Sequence, residues 1–176
     1  MPIKVHPGVN HVRAILPYGA TATIIQAWRG NGPAHGYHLG MVLTGASEGK
    51  AVGLAAVEQS GDVHNETIRD DPFDAERALG DVRFARAQVD GRTASVVIAA
   101  YVKGTQGVLA DHRKATVTVN RLEATEVGIG APLSFARVAM LPSTKRYCNV
   151  DLALRNILGV ALGDDYAGPS RIDGWF

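Results

Sequence analysis

The chain has 176 residues, 46% hydrophobic and 20% charged, with 18 Lys and Arg against 17 Asp and Glu. That composition excludes a disordered chain and a collagen-like repeat, and a lone cysteine excludes a disulfide framework. Charges nearly cancel, and the densest basic groups are only pairs, Arg113-Lys114 and Lys145-Arg146, so nucleic acid is not an expected partner.

The N-terminus, Met1-Pro2-Ile3-Lys4, is interrupted by Pro7, Gly8, Arg13 and Pro17 before any apolar stretch develops, so no secretory signal is expected. The longest apolar run, Val96 to Val102, is far shorter than the roughly 20 residues of a membrane-spanning helix. With a single cysteine, these features predict a soluble, cytoplasmic protein. Twenty glycines and eight prolines, spread without a Ser- or Pro-rich linker, predict one domain, 1–176, of short strands and turns.

In chain order, Val12 to Leu16 and Thr21 to Trp28 read as strands around Pro17-Tyr18-Gly19. Gly30-Asn31-Gly32-Pro33 reads as a turn; no Lys-Ser or Lys-Thr follows, so it is not a phosphate loop. Tyr37 to Leu43 and Ala51 to Val57 form a second pair of strands about Gly45 to Gly49. A short helix is expected near 72–79, with Asp71 as its cap, Pro72 at its first position and Gly80 as its stop.

Asp90-Gly91 supplies the positive φ angles of a type I′ turn between Val82–Val89 and Arg92–Val102. A two-residue loop sets Val89 opposite Arg92, Phe84 opposite Val97 and Val82 opposite Ala99. Ala115 to Leu122 alternates, with Val117 and Val119 on one side, and Leu133 to Leu141 is a further strand closed by Pro142. A C-terminal helix is expected near 150–162, capped by Asn149, with Gly159 at a close backbone approach and Gly163 at its end. The expected class is α+β, mainly β, an antiparallel sandwich or barrel-like sheet carrying two helices.

Cys148 precedes the helix cap, where dipole and unpaired amides favour a thiolate. With His38 or His64 on an upstream strand as base, this order resembles the circularly permuted papain-like hydrolases, which implies a cysteine hydrolase or acyltransferase. The competing reading is a small buried cysteine that fills the gap between helix and sheet. No specific signature surrounds Tyr147-Cys148-Asn149.

Metal binding by His35 and His38, by His6 and His11, or by Asp111-His112 lacks ligand spacing, so no metal or cofactor is expected. Asp71, Asp74 and Glu76 suit helix capping, and Asp164-Asp165 a solvated loop, better than paired acid catalysis. No nucleophile elbow surrounds Ser47 or Ser60. With the polar residues spent on turns and caps, the expected function is a non-catalytic binding or assembly subunit. Its partner would be a protein or a second copy, met at strand edges or at an aromatic tail of Tyr166, Trp175 and Phe176.

Overall fold

The computed structural model describes residues 1–13, 22–30, 36–44, 53–60, 63–65, 68–69, 71–74, 77–102, 113–124, 133–147 and 149–162. Thirteen strands and one helix are described. The strands are β1 (Pro2–Ile3), β2 (Gly8–Val12), β3 (Ala22–Gly30), β4 (Gly36–Thr44), β5 (Gly53–Leu54), β6 (Ala56–Ser60) and β7 (Val63–Asn65). They continue with β8 (Ile68–Arg69), β9 (Asp71–Asp74), β10 (Arg77–Val89), β11 (Arg92–Val102), β12 (Arg113–Ala124) and β13 (Leu133–Tyr147), before α1 (Val150–Leu158).

Eight strands form a large, curled half-barrel in the order β1-β10-β11-β12-β13-β6-β7, with β9 also on β10. The remaining five form a small sheet, β2-β3-β4-β5, with β8 on β4. The expected mainly-β class with a C-terminal helix is what the structure shows. The large sheet is mixed, because β6 runs parallel to β13 at Ser134 and Phe135. The chain crosses from the small sheet to the large one at Ala55, which is buried and donates its N–H to the Val42 carbonyl at 2.8 Å.

The β10–β11 hairpin follows the expected register, from Val89 opposite Arg92 back through Phe84 opposite Val97 and Val82 opposite Ala99. Asp90 (φ 52°) and Gly91 (φ 73°) both take the left-handed conformation that a type I′ turn requires. Both faces of this hairpin are buried, which explains the continuous apolar run of β11. Phe84 and Val97 pack with Ile24, Val42, Leu122 and Phe135 in a core between the two sheets. Ala85, Val96, Ile98 and Ala100 join Val117, Tyr147, Val150, Leu152 and Leu154 in a second core under α1.

The helix expected near 72–79 is absent: Asp71–Asp74 is β9, and Arg77 onward belongs to β10. Ten consecutive pairs with β11 draw β10 back through Gly80, outweighing a capping signal too short to sustain a helix alone. Pro72 is tolerated because, among the described strands, β9 pairs with β10 alone and its register is broken by bulges.

Pro142 does not close its strand either; β13 runs on to Tyr147. It lies beside a bulge between Lys114 and Thr116, where the Ser143 hydroxyl accepts the Ala115 N–H at 2.8 Å and donates to the Lys145 carbonyl at 2.7 Å. The side chain thus satisfies main-chain groups at the interrupted ladder. Of the earlier strands, the expected Val12–Leu16 shares only Val12 with β2, and its residues 14–16 lie outside the described residues, while the described part of Ala51–Val57, from Gly53 on, is divided between the sheets as β5 and β6.

Candidate functional site

The best-defined polar constellation gathers where α1 begins. Asn149 is buried and extended, and its side chain accepts the Asp151 N–H at 2.8 Å, a cap that the sequence predicts. The helix ends at Leu158, four residues short of expectation. Gly159 takes a left-handed conformation (φ 68°) and donates its N–H to the Arg155 carbonyl at 3.0 Å. A Cβ at Gly159 would meet nothing within 4 Å, so positive φ and not a close approach accounts for the glycine. Val160 and Leu162 still pack on the second core after the helix has stopped.

Alternation along β10 turns Asp81, Arg83 and Ala85 toward the helix. Arg83 bridges two carboxylates, with Nε 2.6 Å from Asp81 Oδ2 and a terminal nitrogen 3.2 Å from Asp151 Oδ1. Asp81 Oδ1 accepts the Val82 N–H at 2.8 Å, while Oδ2 faces Arg83 as an ion pair without hydrogen-bond alignment. Burial pushes the Asp81 carboxyl up to about 7; Arg83 opposes that rise, and the charge and hydrogen bond of Asp151 add to it. One guanidinium for two carboxylates leaves an excess negative charge that a proton on Asp81 removes. Chemically this is a latch that ties the helix start to β10. Arg83 and Asp151 lie 68 residues apart, so sequence reading had only the strand alternation around Asp81 to go on.

A second region is one that no described element covers. On β12, Leu122 and Asn120 face the core between the sheets and are buried. Farther along the same face Thr118 and Thr116 are half-buried, and Lys114 is exposed. Across the ladder, Thr118 pairs with Met140, Thr116 with Pro142 and Lys114 with Arg146. Met140 is 53% exposed, Val138 is exposed beside it, and Pro142, Lys145 and Arg146 are exposed as well. Among the described strands none pairs with the outer edge of β13 beyond Phe135.

Cys148, His35, Tyr166, Trp175 and Phe176 lie outside the described residues. The backbone of His38 pairs with Trp28 in the small sheet, and that of His64, in β7, pairs with Glu58 of β6. β6 meets β13 at Ser134 and Phe135, whereas Tyr147 and Asn149, which flank Cys148, lie at the other end of that strand. The stretch from Phe135 to Tyr147 covers on the order of 35 Å. α1 packs on the face of the large sheet opposite the core shared with the small sheet, which carries His38. Register therefore brings neither histidine's strand position to the helix start.

Among the described residues no three His, Cys, Asp or Glu side chains converge as metal ligands. No helix among them is long and apolar enough to cross a membrane.

No protein-family model matches the chain, and no curated protein matches it. Among solved structures, one described as a crystal structure of CarG superposes with a TM-score of 0.68. The match covers 88% of this chain and 94% of that chain at 18% identity. A likeness at that identity shows a shared fold: the chain has the architecture of CarG.

Proposed function

We propose that the chain works as a non-catalytic binding or assembly subunit, and that its contact surface is the uncovered half of the large sheet along β12 and β13. The observation that supports this reading is the open face itself, where Met140, Val138 and Pro142 hold apolar surface in water beside a strand edge. Exposed apolar side chains scattered singly are ordinary; clustered on one strand beside an open edge, they suit a protein partner. On the helix face, among the described residues, α1 covers one half with Val150, Leu152 and Leu154, and the other half carries Arg121 already paired with Glu123 and Asp90.

The test is solution mass from dilute to concentrated protein, together with retention of partners from a native extract. The reading expects a mass above the monomer, or a partner held through this face. A strict monomer at every concentration that retains no partner contradicts it.

A further inference from the structure

We infer that the occupant of the open face is an extended acidic segment of a partner protein, with an apolar residue seated on Met140 and carboxylates on Lys114 and Arg146. This inference rests on the binding reading above and names the chemistry of the partner.

Three observations carry it. First, the two basic pairs of the sequence, 32 positions apart, meet in the fold: Lys114 sits directly opposite Arg146, and Lys145 is exposed in the adjoining bulge. Like charges opposite one another weaken a ladder, so the pairing is a cost that the isolated chain does not recover. Second, none of these three cations has a carboxylate partner among the described residues. At the other end of the same strand Arg121 is paired with both Glu123 and Asp90, so among the described side chains of β12 Arg121 is neutralised and Lys114 is not. Third, Lys114 and Arg146 share a face with Thr116–Pro142 and Thr118–Met140, which places apolar and cationic surface in one line.

From Thr118 to Lys114 that line is about 13 Å long, four residues of extended chain. A matching segment carries its carboxylates four residues from its apolar anchor. A uniform polyanion would use the cations and leave Met140 in water. An acidic segment with one apolar anchor uses both, and this favours a protein over a nucleic acid.

The probe is a fluorescein-labelled extended peptide with a leucine and, four residues on, two glutamates. Its controls are the same peptide with lysines for the glutamates and a single-stranded oligonucleotide of comparable length. The glutamate peptide is expected to bind, to weaken as salt rises, and to lose at least tenfold in affinity on Lys114→Glu. That variant sets opposite charges across the ladder from Arg146, so the fold is retained; an unchanged melting temperature checks this. Equal binding of the lysine peptide, tighter binding of the oligonucleotide, or no binding of the glutamate peptide overturns the inference. If the peptide fails while Met140→Glu still abolishes retention of a native partner, only the acidic assignment falls. If Met140→Glu changes neither mass nor retention, the reading beneath it falls too.

Discussion

The two faces of β12 run in opposite directions. On the helix side Ala115 and Val117 are buried under α1, and the uncovered end carries Arg121, whose guanidinium meets Glu123 and Asp90. On the other side Leu122 and Asn120 are buried under the small sheet, and the uncovered end carries Lys114 beside Arg146 with Met140 exposed along the same line. Each face is therefore closed over one half. Among the described residues, one open half is completed internally by ion pairs and the other is left apolar and cationic. Identical strand geometry thus yields a finished surface and an unfinished one, and the difference lies in which side chains the chain supplies as neighbours.

The closed side can be broken most severely in its core. Leu152 is fully buried under the large sheet, so Leu152→Ala is expected to cost about 2–5 kcal/mol, read from urea unfolding. A loss under 1 kcal/mol would mean that α1 is not packed as described.

The latch beneath α1 sharpens the comparison through pH. The Asp81 carboxyl, ordinarily near 3.8, is raised by burial to about 7 in the folded chain. A group whose folded value is raised contributes stability that is fully present below its unfolded value and is lost as pH rises through its folded value. The melting temperature of the wild type is therefore expected to fall as pH climbs from about 4 to about 7, the interval between those two values. Asp81→Asn should flatten that slope; a slope unchanged in the variant would remove Asp81 as its source. A smaller effect is expected at the cap, where Asn149→Ala forfeits the bond to the Asp151 N–H and should cost about 1 kcal/mol.

Much of the closed side was legible because its determinants are local. Asp90-Gly91 dictates both the turn and the register of β10 on β11, and Asn149 announces the start of α1. The errors came where local signals competed with distant pairing. Asp71-Pro72 resembles a helix start, yet β10 is claimed by β11, and Pro142 resembles a stop, yet Ser143 bridges the bulge and the strand continues. The open side was visible only as two unremarkable basic pairs. Their meeting depends on a register shift between Lys114 and Thr116 that no sequence period encodes. Asp81 went unnoticed for the same reason, since its significance lies in Arg83 and the distant Asp151. Cys148 stood out by its place before the helix cap and the histidines by their order upstream of it, and the strand positions of His38 and His64 place neither beside the helix start.

The central claim is that the unfinished half of the large sheet is where this protein meets its partner. The most direct measurement compares wild type and Met140→Glu for solution mass and partner retention, at equal concentration and with melting temperatures recorded alongside. Because Met140 is more than half exposed, the substitution is expected to shift stability by less than about 0.5 kcal/mol. The account predicts that assembly or retention is lost while the fold melts as before. Undiminished association in the variant, with the same melting temperature, would contradict it.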